Sequence, residues 1–344
     1  MYATLPYRDE NGFYYNPHVV ILGAGASRAA FPMGDRNGKI LPLMADLISV
    51  LGLQDYLQSI GFTDLDKANF EEIYSKLFTG GRKREIEYLN KVVYDYFDDM
   101  ELPDTVTIYD ELILNLRAKD LIATFNWDPL LFKAYIRNLN APGKRPYLAF
   151  LHGNVGLSVC YKDKLSDYKY HKRVCHKCGS ALQEAPLLYP VTQKDYLQDE
   201  LIKTQWDILR DHLAKAYMVT IFGYGAPSTD VEAIKLFKDA WDSNKTRNLS
   251  TFTIIEHPDV DAGAVEKRWR VFSTKDNDNT VGVIKSCRDT RLWRYARRSC
   301  ESLGEATLQQ NPMRENPVPQ ITDLHQLHEW FAPLAKEEEK LLQQ

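Results

Sequence analysis

The sequence predicts an α/β protein built on a Rossmann-like parallel sheet, and three observations predict it. Five short runs are apolar without alternation: HVVILG (18–23), DLIATFN (120–126), YLAFLHG (147–153), YMVTIFG (217–223) and TFTIIEH (251–257). Continuous apolarity marks strands covered on both faces, as in a parallel sheet. Helical patterns, with apolar residues at three- and four-residue spacing, lie before or after most of these runs. The first run feeds a glycine pair, Gly23 and Gly25, of the kind that either reverses a chain tightly or lets a backbone approach a phosphate.

Taken in order, the first strand leads through the glycine turn into FPMGDRNGKILP, a loop dense in Gly, Pro, Asp and Asn, and only then into the helical LPLMADLISVLG. This departs from the dinucleotide fingerprint G-x-G-x-x-G, which runs straight into a helix; the third glycine is absent and Ser27 follows the pair. FEEIYSKLF, KREIEYLNKVVYDYFDDM and TIYDELILNLRA continue in helical spacing, so 40–118 reads as a helical insertion. Three later strands end in NWD, HG and GYGAPSTD. Ligands of open parallel sheets sit beyond the carboxyl ends of the strands, which makes these endings converge on one candidate site. A cysteine-containing insertion is expected over 154–190, closing a main domain of 1–284. A helical extension follows over 285–344, with a Pro/Asn-rich linker, NPMRENPVPQ, inside it. Its last segment carries Ile321, Leu324, Leu327, Trp330 and Phe331 at helical spacing, a face for its own domain or for a partner.

Composition excludes several classes. Forty-three Lys and Arg against forty-seven Asp and Glu leave a formal charge of −4, so no global basic field draws the chain to nucleic acid or an anionic membrane. No apolar run approaches the roughly 20 residues of a membrane span, and the N-terminus has no charged-then-apolar signal pattern; a cytoplasmic protein is expected. Five cysteines, odd and sparse, do not make a disulfide framework. Cys287 and Cys300 read as reduced thiols, whereas Cys175 and Cys178 form a C-x-x-C pair, half of a zinc knuckle.

Gly23-Ala24-Gly25-Ala26-Ser27, then Thr124-Phe125-Asn126-Trp127-Asp128, then His152-Gly153, then Cys175-x-x-Cys178 occur in that order. The ordered set resembles the sirtuin family over roughly 18–258. The resemblance implies a glycine turn at the pyrophosphate of NAD, an Asn-x-Asp element and a histidine at the chemistry, and a zinc ribbon after them. Asp35 and Arg36 stand as remnants of the family's G-I-P-D-F-R-type segment. Cys160 falls where the first knuckle would begin, and its fourth partner is Asp163 or His171, the histidine being chemically the more ordinary. Bound zinc would be structural. The family's V-x-F-G-E-like, peptide-pairing strand is replaced by PLLYPVTQ. With the GYGAPSTD ending, this is more similar to the divergent bacterial branch that hydrolyses NAD, often as effectors of anti-phage defence. The expectation is therefore an NAD glycohydrolase; a protein deacylase and a non-catalytic NAD- or ADP-ribose-binding assembly subunit are the alternatives.

The chemistry assigns roles to these residues. An Asn amide both donates and accepts, so Asn126 can hold a water or a ribose hydroxyl. A free imidazole titrates near neutrality, so His152 is a candidate to take the proton of that water or of a ribose hydroxyl, with Asp128 orienting either partner. Gly23, Ala24 and Gly25 would approach the pyrophosphate, Ser27 supply a hydroxyl and Arg28 a countercharge, with Thr124 just before the Asn126 turn. Gly223, Gly225 and Ser228 would wall the adenosine or phosphate side, and Glu256 accept from a ribose hydroxyl. Against these stand the plain readings: Asx residues at strand ends cap helices and close turns. Control of such an enzyme would come from a homo-oligomer or a separate regulatory protein.

Overall fold

A computed structural model describes residues 16–65, 68–168, 174–189, 199–225, 231–244, 250–270, 281–308 and 313–342. Strand β1 (His18–Leu22) leads directly into a short helix α1 (Ala24–Ala30), so the chain is already helical within the glycine turn, ahead of the loop expected from Phe31. Small side chains allow this, and the irregular stretch begins only after Phe31. The helix expected over 41–52 contracts to α2 (Leu47–Val50), preceded by a turn in which Asp46 Oδ1 accepts from Leu43 N–H at 2.7 Å. The helical insertion continues as α3 (Gln54–Ser59), α4 (Phe70–Thr79), α5 (Lys83–Asp98) and α6 (Ile108–Asn115). Thr107 and Asp110 close a reciprocal capping box at the start of α6.

From there the sheet alternates with helices: β2 (Leu121–Thr124), α7 (Leu130–Arg137), and β3 (Tyr147–Phe150). A small antiparallel sheet follows, formed by β4 (Leu157–Cys160), β5 (Leu165–Tyr168) and β6 (Gln183–Glu184). The main sheet resumes with α8 (Glu200–Lys215), β7 (Met218–Phe222), α9 (Val231–Asp242), β8 (Thr251–Ile255), α10 (Ala262–Trp269) and β9 (Val281–Ile284). The extension contributes α11 (Arg291–Arg294), α12 (Ser299–Leu308) and α13 (Leu324–Leu342). The expected parallel sheet forms, with six strands in the order β3-β2-β1-β7-β8-β9. β9 was missed in the sequence because VGVI is short and glycine-containing.

The β1 strand is buried along its whole length, and its alternate residues serve different cores. Val20 and Leu22 join Ile122, the insertion helices and Phe331 of α13 on one face. Val19 and Ile21 join Val219, Ile221, Trp206 of α8 and Phe237 of α9 on the other. Leu327, Phe331 and Ala335 are buried, so the apolar face of α13 packs on its own chain, against α6. The order of the sheet reverses between β1 and β7, and the crevice at that switch point is where the cavity opens.

The opposite, amino-terminal end of the sheet is a buried polar cluster. His18 is fully buried between Ser299 Oγ at 2.9 Å and Thr220 Oγ1 at 2.8 Å. Burial pulls its pKa down to about 4, against a partial opposing pull from Asp120. Because the unfolded chain takes up this proton near pH 6.5 and the folded chain only near 4, stability falls as pH drops through that window. The loss is about 3 kcal/mol in all. Urea unfolding at pH 7 and pH 4.5 is expected to show it, and His18→Asn should flatten the difference; an unchanged slope in the variant would refute the assignment.

Candidate active site

Two glycine turns meet back to back above the sheet. Gly25 N–H donates to Gly223 O at 3.0 Å, and Gly23 N–H to Phe222 O at 2.9 Å. A Cβ on Gly23 would lie 2.5 Å from Gly223 O, and one on Gly223 would lie 2.2 Å from the amide nitrogen of Ala26. The glycines are thus demanded by contact between the β1 and β7 turns, whatever binds above them. The glycine pair therefore permits backbone packing at the switch point.

The crevice is a cavity of about 860 Å³. Its wall brings together Gly23, Ala24, Gly25, Ser27, Arg28, Asn126, Asp128, His152, Gly223, Gly225 and Glu256 of the residues singled out above. Asn126 Nδ2 donates to Gly23 O at 2.9 Å and to Ser27 Oγ at 2.8 Å. Its backbone N–H is fixed by Thr124 Oγ1 at 3.0 Å. Ser27 Oγ donates to Asp128 Oδ2 at 2.7 Å, and Asp128 Oδ1 accepts from Leu130 N–H at 3.1 Å, tying the carboxylate to the start of α7. Burial raises the pKa of Asp128, with the Ser27 hydroxyl working the other way. His152 sits on the turn after β3 with its ring edge-to-face on Phe125 at 4.8 Å. The next residue, Gly153, adopts φ 78°, where a side chain would strike Pro186 O.

Three expected residues lie off the cavity wall. Thr124 serves Asn126 from below, as its short strand-end side chain reaches the following turn. Asp35 accepts from the amides of Asn37, Lys39 and Glu101, so its carboxylate organises the loop itself. Arg36 points outward to Asp104 at 3.1 Å, with more than half of its side chain exposed. Arg28, although on the wall, already has a countercharge in Asp46 at 2.5 Å. Ser228 lies outside the described residues, as does His171.

Other wall residues escaped the sequence reading: Glu71 from α4, Phe97 from α5, Trp127, Tyr224, Arg268 and Lys285. Tyr109 was missed as well. Its hydroxyl is fully buried beneath the turn, 2.7 Å from Ser27 Oγ, and burial pushes its pKa far above the ordinary phenol. In sequence Tyr109 is one more apolar position of a helix, and nothing local distinguishes it.

The cysteine group assembles in the small sheet. Cys160 ends β4, Asp163 lies in the following turn, and Cys175 and Cys178 bracket a second turn. Their donor atoms all lie within 4.8 Å of one another, with Cys160 Sγ 3.5 Å from Cys178 Sγ and Cys175 Sγ 3.2 Å from Asp163 Oδ2. Lys177 N–H donates to Cys175 Sγ at 3.4 Å. Three sulfurs and one carboxylate so spaced fit a four-coordinate zinc with no open position. Among the described residues, then, the aspartate completes the set, because the β4–β5 turn carries it back over the sulfurs. Purified protein is expected to carry about one zinc per chain by mass spectrometry, and Cys175→Ser to lose most of it and lower Tm. A full zinc complement in that variant would refute the assignment.

Fold and site together define an open α/β protein with a switch-point crevice and a closed metal-type cluster beside it. No known family profile and no curated protein matches the chain. Among solved structures it is similar to a Sir2 homolog–NAD complex, at 15% identity over 72% of this chain and 80% of that one, with a TM-score of 0.35. It is also similar to Sir2 bound to an inhibitor, 2′-O-acetyl-ADP-ribose and a deacetylated peptide, at 14% identity, 74% and 92% coverage and a TM-score of 0.35. A third likeness is Sir2Tm bound to a propionylated peptide, at 14%, 78% and 87%, with a TM-score of 0.33. No described helix is long and apolar enough to cross a membrane.

Proposed function

We propose that the protein is an NAD glycohydrolase, which splits NAD into nicotinamide and ADP-ribose. The observation that carries the reading is the convergence of Asn126, Asp128 and His152 with the two glycine turns on one cavity. Scission of the ribose C1′–nitrogen bond passes its electron pair to the pyridinium nitrogen, so nicotinamide leaves neutral. The C1′ cation takes a water oxygen, and the proton of that water passes to His152. Little acid catalysis is needed; orientation of ribose and water contributes most. The Ser27–Asp128–Asn126 network supplies that orientation, since Asn126 Nδ2 is held by the turn and Oδ1 takes none of the described hydrogen bonds. Glu256, half-buried on the wall directly after β8, would accept from a ribose hydroxyl.

Hydrolysis is favoured over peptide deacylation by the segment Pro186–Tyr189. Leu188 N–H donates to His152 O at 2.9 Å, and Tyr189 stacks on Tyr74 of α4 at 5.0 Å. The described part of the segment that replaces the peptide-pairing strand, 186–189, is thereby engaged with the histidine turn and the helical insertion. Such an enzyme depletes its own host, so a restrained effector of bacterial anti-phage defence, controlled by self-assembly or a separate regulatory protein, is the setting we infer.

Nicotinamide release from NAD, with and without acetylated peptide, tests the reading. Peptide-independent release is expected, lowered about 100-fold in Asn126→Ala and in His152→Ala. Release only with peptide would replace hydrolysis by deacylation.

A further inference from the structure

Of the arginines and lysines on the described cavity wall, Arg28 is held by Asp46. The others, Arg268 and Lys285, are exposed, and among the described residues they bond to backbone carbonyls rather than to a carboxylate. Arg268 Nη1 donates to Gly225 O at 2.5 Å, and Lys285 Nζ donates to Val260 O at 2.5 Å and to His257 O at 3.3 Å. These carbonyls anchor the two long side chains at the wall, and neither cation spends all its donors on them. Adjacent strand ends bring the pair to one flank. Gly223 N–H donates to Ile255 O at 3.0 Å and Glu256 N–H to Ile284 O at 3.0 Å, so Gly223, Glu256 and Lys285 follow β7, β8 and β9 side by side. Arg268 joins them from α10 through its bond to the β7 turn. Burial raises the pKa of Glu256 and the charges of Arg268 and Lys285 oppose that rise, so both cations stand within electrostatic reach of this carboxylate.

We propose that Arg268 and Lys285 form a seat for a phosphate monoester on the adenosine ribose, so that the crevice takes NADP as well as NAD. This rests on the dinucleotide reading above and deepens it by naming a second substrate. The position follows from the order of the sheet. Asn126 follows β2 on one side of β1, and Glu256 follows β8 on the other, two strands from the β1 glycine turn, or about 10 Å at ordinary strand spacing. With the nicotinamide ribose at Asn126 and the pyrophosphate over the glycine turn, the second ribose reaches the flank of Glu256. An acid in such a place accepts from a 2′-hydroxyl, and an arginine beside it accommodates a 2′-phosphate. For NADP, Glu256 keeps the 3′-hydroxyl as its donor while the phosphate turns to the cations. A phosphate monoester carries about two negative charges at pH 7, which Arg268 and Lys285 together balance. The planar guanidinium also offers paired N–H groups to its oxygens. Both cations are exposed, so the seat confers tolerance of the phosphate rather than a strong preference for it.

Calorimetric titration with NAD and with NADP tests the seat, in the His152→Ala background to suppress turnover. NADP is expected to bind within about threefold of NAD. Arg268→Gln, which keeps a donor for Gly225 O, should weaken NADP about fivefold, and an Arg268→Gln, Lys285→Gln double variant about 20-fold. NAD, with no phosphate at this place, should shift less than about twofold in either variant, which also shows that both are folded. NAD binding without NADP binding, or NADP affinity unmoved in the double variant, overturns the seat and leaves the dinucleotide reading standing. Equal losses for NAD and NADP would assign the two cations to the pyrophosphate and overturn the seat too. Binding of neither dinucleotide overturns the dinucleotide reading and the seat together.

Discussion

Gly223→Ala is expected to destabilise the protein by about 3–6 kcal/mol and to abolish ligand binding at the crevice. Two costs combine. The residue has φ 62°, in the left-handed region, and its new methyl would meet three backbone atoms of the β1 turn, the nearest at 2.2 Å. None of these is the end of a flexible side chain, so relief requires the two turns to separate. Separation would break the Gly25 N–H to Gly223 O bond and move Ser27 and Asn126 with the β1 turn. A domain with a total stability of roughly 5–15 kcal/mol has little margin for this. Gly81→Ala isolates the backbone part: its φ is 67° but nothing lies within 4 Å, so a cost of about 1 kcal/mol is expected. Urea unfolding of the two variants side by side measures the difference, and equal costs would show that the turn contact is soft.

Glu301→Ala is the second large effect, expected at about 3–5 kcal/mol. Glu301 accepts from Arg117 at 2.6 Å, with the two side chains 1% and 6% exposed, and Arg298 lies 3.9 Å from its other oxygen. Removing the carboxylate takes the 2.6 Å counterion from a buried guanidinium at the amino-terminal end of the sheet. The effect should shrink greatly in an Arg117→Met, Glu301→Leu double variant, because the damage comes from a buried charge deprived of its nearest counterion rather than from the pair's own net strength. If the double variant is as unstable as the single one, packing of α12 rather than charge is responsible. The same region shows how closely the extension is joined to the rest: Trp293 Nε1 donates to Glu111 Oε2 at 2.8 Å, and Arg297 caps the carbonyls of Leu114 and Leu116.

Much of the architecture was legible in the sequence because it is a local property. Four of the five apolar runs are central strands, and burial of both faces appears as unbroken apolarity in HVVIL or MVTIF; the fifth, YLAF, lies at the sheet edge. The polar endings NWD and HG fell at the cavity for the same reason, since parallel strands all deliver their carboxyl ends to one side. Cys175 and Cys178 of the metal-type cluster were readable from their C-x-x-C spacing, and Cys160 from the family resemblance.

What the tertiary structure alone decided is which polar group serves which partner. Ser27 meets Tyr109 and Asp128 across 82 and 101 residues, and His18 meets Ser299 across 281. No local pattern encodes such pairings, so Asp35 and Arg36 looked like ligand contacts until their carboxylate and guanidinium were found engaged in the loop and at Asp104. Asp163 joined the sulfurs through the path of a turn, and Arg268 and Lys285 were ordinary helix and strand-end residues in the sequence. Hydrophobic periodicity reports burial, which each residue's neighbours along the chain share. Satisfaction of a buried donor or acceptor is a property of the three-dimensional surroundings, and only the folded chain specifies those.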